Sequence, residues 1–381
     1  MIDFELSPAD QALVNEAHAQ AELVRKYARH YEKNENEIPP REFPEAKDRP
    51  DPFAQRLDRA GEISGKAMVE TLLHLELFWG DPMPLRVPNL SLGNHVLTAA
   101  GTPEQIAKWG GGRISIAITE PGAGSDPANI RTTAVFDAAT DEWVINGEKI
   151  FITYAGDADS VMIFAKIKVD AEKWLFGTFV IEKGRPGFSV GPQLKKMGLR
   201  AEDTAGLVFE NVRIPKINHV DGDFKSIFAV FNFSRPIVAA CGLGTSRAML
   251  DVVREKLAEQ GVQVDYRAGL SGQSAIADRL LKLEAEYEAT WLSVMRAKWL
   301  EDAHQAVKVE ASMAKAMGGQ CSRRISQEAL ELLGPCALTD ELPLEKRFRD
   351  ARIFDIYEGP GEVQRLLIAR YLLNYTQKDL R

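Results

Sequence analysis

Chemistry in this chain is carried by few residue types at few places. The stretch Ala117–Asp126, "AITEPGAGSD", leaves an apolar run (Ile114–Ile118) through a loop holding a proline, an alanine and two glycines. So bare a loop is either a tight turn or a place where backbone N–H groups approach a ligand that a Cβ would obstruct. A second candidate is Glu358, an acid just before Gly359-Pro360 in "RDARIFDIYEGPGEVQRLLIAR". Pro360 suits the first turn of the helix that follows, so spacing alone reads Glu358 as a helix-capping acid held by the macrodipole. Metal chemistry finds no such support. Cys241, Cys321 and Cys336 are scattered without a CxxC pair, and the six histidines never take HxxxH or HExxH spacing. "GLGTSR" at Gly242 lies within a helical pattern with no strand ahead of it, so it is not a dinucleotide fingerprint.

The elements that must position these residues fall into three zones. The chain has 381 residues, 45% apolar and 27% charged, which suits a soluble protein of two or three domains. From Ser7, an N-cap followed by Pro8, to about Gly112 it reads helical, with Leu13, Ala17, Ala21 and Val24 on one face. Residues 34–52, rich in proline and charge, read as a loop. From Arg113 to about Val220 short alternating segments follow one another, with Asn146-Gly147 as a hairpin signal, so an antiparallel β-sandwich or barrel is expected. Beyond Phe224 long helices return, with Ile276, Leu280, Leu283, Tyr287, Trp291 and Val294 at steps of three and four, which fits a helical bundle. The expected domains are 1–112 (N-terminal, helical), 113–222 (middle, β) and 223–381 (C-terminal bundle), a multidomain α+β class. A net charge of −8 without a basic run argues against nucleic acid. No run approaches 18 uninterrupted apolar residues and the N-terminus has no leader pattern, so a cytoplasmic protein without a membrane span is expected.

In chain order, "ITEPGAGSD", "INGEKIFIT", "MGLRAEDTAGLVFENVRIP", "SRPIVAACGLG" and "RDARIFDIYEGPGEVQR" resemble the acyl-CoA dehydrogenase family of flavoproteins over about residues 75–375. The resemblance implies FAD, an acyl thioester such as acyl-CoA as substrate, and a fold of N-terminal helices, a middle β domain and a C-terminal four-helix bundle. It assigns Glu358 as the base that removes the Cα proton while a hydride leaves Cβ for flavin N5, giving a trans-2-enoyl thioester. A free carboxylate near pKa ~4.3 is too weak for this, so it must be desolvated, and the enolate oxygen needs donors. The same resemblance places Thr119, Ser125, Phe151 and Thr153 against the flavin, with Phe151 where tryptophan is usual. Arg235, Tyr357 and Gly359 are placed at the substrate, and Asp203-Thr204 in a supporting turn. Where some members carry the base on the first long C-terminal helix, this chain has Ser234, which cannot serve. Electron-transfer flavoprotein is the implied acceptor, and a tetramer or dimer the implied assembly.

Departures from the family pattern bear mainly on the adenosine half of the FAD site. The "RxxFG" segment is missing, although Gln273 matches the glutamine after it and Arg267 is a shifted candidate for its arginine. The "QxxGGxG" segment reads "ELLGPCA" (Glu331–Ala337), Pro360 replaces a hydroxyl residue and Glu362 a glutamine. The family's "PExxGG" loop has no match around residues 45–65. These departures leave open a second reading, a subunit of a heteromeric dehydrogenase whose partner chain completes the FAD site. Oxygen-using relatives form a third class, but usually lack the "YEG" glutamate.

Overall fold

The computed structural model describes residues 2–35, 37, 45, 49, 52, 66–81, 91–169, 174–221, 229–268, 272–376 and 379. Most of the proline-rich 34–52 stretch, and the segment where the "PExxGG" loop was sought, lie outside them. Ser7 caps α1 (Pro8–Lys33) as expected, its Oγ accepting the Asp10 N–H at 3.1 Å. Leu13, Val14 and Ala17 of that helix pack on Val69, Leu73 and Leu77 of α2 (Lys66–Gly80). Two short helices, α3 (Leu92–Ala100) and α4 (Pro103–Trp109), lead into the sheet.

Eight strands follow: β1 (Ile114–Ala117), β2 (Thr133–Asp137), β3 (Glu142–Thr153), β4 (Ser160–Lys168), β5 (Trp174–Glu182), β6 (Phe188–Gln193), β7 (Thr204–Pro215) and β8 (His219–Val220). Their order is β6-β7-β3-β2-β4-β5-β8, with β1 beside β4. The sheet is mixed rather than antiparallel. β1 runs parallel to Ser160–Ile163 of β4, and β2 parallel to Lys166 and Ile167 of the same strand. Since β5 pairs along the whole of β4, β1 and β2 lie end to end on its other edge. They form one lane, interrupted by the excursion 118–132 that contains the glycine-rich loop. The hairpin signal also resolves differently. Asn146-Gly147 sits inside β3, where Gly147 (φ 145°) forms a bulge against β7. The chain turns instead between Asp137 and Glu142, with Asp141 left-handed and Asp137 Oδ1 accepting the Ala139 N–H at 3.1 Å.

The C-terminal zone holds three long helices, α5 (Phe231–Glu259), α6 (Ala275–Asp302) and α7 (Lys308–Leu333), then α8 (Leu344–Ala351) and α9 (Gly361–Leu372). Leu243, Leu250, Val253, Leu280, Leu283, Val294 and Ile325 share one core, with Tyr287 and the partly buried Trp291, whereas Ile276 at the start of α6 is exposed. Among the described residues α5 alone is long and apolar enough to cross a membrane; 78% of its most apolar stretch is buried inside the protein. Gly242 and Gly244 serve that packing. A Cβ on either would collide with Ser322 of α7 or with the Leu75 carbonyl of α2.

Candidate active site

After α8 the chain makes one 3-10 turn (Arg352–Asp355) and reverses through two left-handed residues, Glu358 (φ 55°) and Gly359 (φ 92°). Left-handed backbone costs a non-glycine residue about 1 kcal/mol or more and persists only where the surroundings enforce it. Here they do. Gln364, wholly buried, donates from Nε2 to the Glu358 carbonyl at 3.2 Å and the Gly359 carbonyl at 3.0 Å. Lys315 Nζ, equally buried on α7, donates to the Gly359 carbonyl at 3.3 Å. Pro360 is the N-cap of α9 rather than its first residue, and no side chain caps the helix. The helix-capping reading of Glu358 therefore fails. Its carboxylate turns away from α9 and accepts the Ser234 hydroxyl, 2.6 Å away at the start of α5.

Burial pushes the Glu358 carboxyl above its ordinary pKa. Opposing that are the Ser234 hydrogen bond and three cations, Lys315, Arg235 and Lys298. Burial also brings the Lys315 ammonium down to about 8, against the pull of Glu358 and Asp355. Arg235 is depressed by burial and supported by Glu358. Its Nη1 donates to Asn232 Oδ1 at 3.1 Å, while its buried Nε meets no partner among the described residues. The Glu358 N–H, too, has no acceptor among them.

The second half of the site comes from the sheet. Glu120 and Ala123 exchange backbone hydrogen bonds of 3.1 and 3.0 Å, which makes the glycine-rich loop a tight turn. The buried Glu120 carboxylate pins its base, accepting Lys149 Nζ at 2.7 Å and the N–H groups of Arg131 at 2.5 Å and Thr132 at 3.0 Å. Ala123 packs into the core beneath the loop, while Pro121, Gly122, Gly124 and Ser125 are exposed. A Cβ on Gly122 or Gly124 would meet no atom within 4 Å. Nothing among the described residues requires glycine there, so the open space suits a ligand. The Thr119 carbonyl accepts the Ile150 N–H at 2.9 Å, which sets Thr119 beside the end of β3. There Phe151 (φ 59°) breaks the register with β7 and leaves its ring 64% exposed, next to the half-buried Thr153. An exposed aromatic wall, two threonines and a glycine loop free of Cβ atoms fit the ring and pyrophosphate ends of a flavin.

Tyr154, Cys241 and Tyr357 join the halves: the Tyr357 hydroxyl, raised well above its usual range chiefly by burial, feels Cys241, Glu202, Glu358 and Tyr154. Asp203 fixes the junction, its carbonyl accepting the Tyr154 N–H at 2.8 Å and its Oδ2 the N–H groups of Gly156 at 2.5 Å and Asp157 at 3.0 Å. Gln273 is not brought to this site. It follows the far end of α5, a helix about 43 Å long at 1.5 Å per residue. There its amide donates to the Asp265 carbonyl at 2.5 Å and closes its own loop. Sequence reasoning missed Lys315, Gln364, Glu202 and the Glu120–Lys149 pair. The only signal for Lys315 was a single charge in the small-residue run "ASMAKAMGG".

Comparison with known proteins agrees with this arrangement. The family model described as acyl-CoA dehydrogenase, middle domain, matches residues 115–212, and that of the C-terminal domain matches residues 224–373. A short-chain specific acyl-CoA dehydrogenase of Bos taurus is 34% identical over 285 residues, 72% of this chain and 67% of that protein. The solved butyryl-CoA dehydrogenase of Megasphaera elsdenii superposes with a TM-score of 0.83 at 26% identity, covering 98% of this chain and all of that one. A chain solved in work on the electron transferring flavoprotein of Acidaminococcus fermentans gives a TM-score of 0.80 at 26% identity, covering 98% of this chain and 100% of that one. The sheet that presents Thr119 and Phe151, the helix that carries Ser234 and the turn that carries Glu358 are thus those of one group of oxidoreductases: the chain belongs to the acyl-CoA dehydrogenase family, whose members depend on FAD.

Proposed function

We propose that this chain catalyses the α,β-dehydrogenation of an acyl thioester, acyl-CoA or a close equivalent, with Glu358 as the base. The observation that carries the reading is the half-buried Glu358 carboxylate on Ser234, raised by burial yet kept ionisable by flanking cations. The Cα proton passes to a Glu358 oxygen, and the electron pair it leaves forms the Cα–Cβ double bond. FAD, when bound, supplies the acceptor for the hydride that leaves Cβ. An incoming acyl chain expels water from the recess, which raises the carboxylate's basicity further. The unpaired Glu358 N–H is free to donate to the thioester oxygen, where negative charge develops. Arg235, whose charge acts on Glu358, stands beside the same carboxylate. Electron-transfer flavoprotein is the acceptor we assign for the electrons.

Gln273, spent on its own loop, and Pro360, without a hydroxyl, leave the adenosine half of the cofactor without contacts from this chain's site. We therefore infer that a second subunit completes it, a second copy in the simpler case and a different chain in the other. Anaerobic titration of the purified chain with a panel of acyl-CoA thioesters tests the function, with its mass in solution measured alongside. Bleaching of the flavin band by one thioester, in an oligomer of this chain alone, is the expected result. A colourless protein that takes up no FAD favours the heteromeric reading. Glu358→Gln is expected to keep flavin and fold while turnover falls by about 10²–10⁴-fold. Unchanged turnover in that variant overturns Glu358 as base.

A further inference from the structure

Along α5, Ser234, Val238 and Cys241 follow one another at helical spacing on one face. Glu358 sits on Ser234, and Cys241 lies about 10 Å further along the axis. The buried Cys241 thiol is faced by two carboxylates, Glu358 and Glu202. Glu202 comes from the β6–β7 loop. Its neighbour Ala201 packs outward on Val24 of α1 with Tyr27 and Tyr31, and Arg200 pairs with Glu35. Glu202 is thereby turned inward, towards Tyr154, Cys241 and Tyr357. It is half-buried, and it acts on Cys241 and Tyr357, the same two groups that Glu358 acts on.

The Glu202 backbone is fully used. Its N–H donates to the Leu199 carbonyl at 3.0 Å, and its carbonyl accepts Lys196 Nζ and, at 3.3 Å, the Thr204 hydroxyl. Its carboxyl has no hydrogen-bond or ion-pair partner among the described residues, although Lys196, Asp203 and Asp350 act on it at longer range. Burial, only partly offset by Lys196, pushes it up to about 7. An apolar acyl tail laid over this group would strip its remaining water and leave a polar atom unpaired, which disfavours the plain chain. A chain with its own donor would satisfy it.

We propose that the acyl chain accepted by this site carries a hydrogen-bond donor, a hydroxyl or an amine, beyond Cβ, and that Glu202 receives it. The proposal rests on the reading of Glu358 as the base, because the base fixes which end of the recess holds Cα. Glu202 is then a specificity-determining residue, distant from the reacting carbons.

The test uses the FAD-loaded enzyme and matched pairs: butanoyl-, hexanoyl- and octanoyl-CoA against their ω-hydroxy analogues. At one length the hydroxy substrate is expected to exceed its plain partner in kcat/KM by at least about tenfold. Glu202→Leu should erase or reverse that ratio, with loss on the hydroxy chain and gain on the plain one. Glu202→Gln, which keeps shape and hydrogen bonding, should retain part of it. Preference for the plain chain at every length overturns the proposal. So does a parallel fall on both substrates in Glu202→Leu, which a merely structural role would give. The same ratio is read as Kd from flavin perturbation in Glu358→Gln. If the unaltered enzyme turns over no thioester of the panel, the dehydrogenase reading fails, whereas the Kd ratio and its loss in Glu202→Leu still decide whether Glu202 receives the donor.

Discussion

Lys315 places a buried ammonium directly behind the peptide that carries the base. Its hydrogen bond to the Gly359 carbonyl fixes the turn, and its charge favours the ionised form of Glu358. The groups facing it are Glu358, Asp355 and Glu362 on the acidic side and Arg235 on the basic side. Removing the charge by Lys315→Met should raise the Glu358 pKa further. The acid limb of kcat/KM against pH then moves to higher pH, and activity below that limb drops several-fold. Lys315→Arg should return the limb towards its original place. A residue needed only for packing would lower the plateau and leave the limb where it was. At this scale the family motifs brought forward the candidates Glu358 in "YEG", Thr119 in "ITEP" and Arg235 in "SRP". Lys315 and Gln364 were hidden because their function is a contact. Gln364 follows Glu358 by six residues and reads as a surface residue of an amphipathic helix, until the chain reversal at Glu358 and Gly359 folds it underneath.

Between β1 and β2, the glycine-rich excursion is held at its base by one ion pair. Lys149 on β3 reaches across to Glu120, and also donates to the Ile118 carbonyl at 3.0 Å. Burial brings Lys149 down to about 8, and Glu120 pulls the other way. Lys149→Met leaves the Glu120 carboxylate buried with only the Arg131 and Thr132 N–H groups to satisfy it. Breaking such a pair from one side costs about 3 kcal/mol or more. The expected result is a lower urea midpoint at unchanged slope, with weaker FAD retention. Adding Glu120→Gln should recover part of the loss, because no unpaired charge then remains. A double variant as weak as the single one would show that the pair does not hold the loop. The strands themselves were legible from alternation, but their pairing was not. Asn146-Gly147 matches a hairpin signal at the level of residue type. It becomes a bulge because Asn146 and Asn211 bond side chain to side chain and backbone across β3 and β7. The parallel lane of β1 and β2 along β4 depends on a loop long enough to leave the sheet and return, which no local pattern encodes.

For the whole molecule, the order of helices, strands and helices followed from periodicity, since each zone buries its own apolar set. The zones also meet through apolar contacts, Leu75 with the bundle, Val24 with Ala201, and α3 and α4 with the sheet, but the polar ties between them are long-range and left no trace in periodicity. Lys346 on α8 donates to both oxygens of Asp81, at 3.0 and 2.8 Å, at the end of α2, and to Asp350 at 2.7 Å. Asp350 in turn accepts the Leu199 N–H at 2.7 Å, from the loop that carries Glu202. Arg347 beside it donates to the terminal carbonyls of α2, Phe78 at 3.3 Å, Trp79 at 2.9 Å and Gly80 at 2.5 Å. One buried cation thus joins the N-terminal helices, the sheet and the bundle. Lys346→Met leaves two buried carboxylates facing each other, and at neutral pH should cost roughly 3–5 kcal/mol. Burial already raises Asp350, Lys346 opposes that, and Asp81 adds to it. Without the lysine the Asp350 carboxyl rises further. A carboxyl raised in the fold binds protons that the unfolded chain does not, so its contribution is lost as pH climbs through the folded pKa. The variant should therefore regain stability on acidification, and its thermal-unfolding gap to the parent protein should be narrower at pH 5 than at pH 7. A gap that stayed constant or widened would mean that Asp81 and Asp350 find other partners, and that the three zones are held by apolar packing alone.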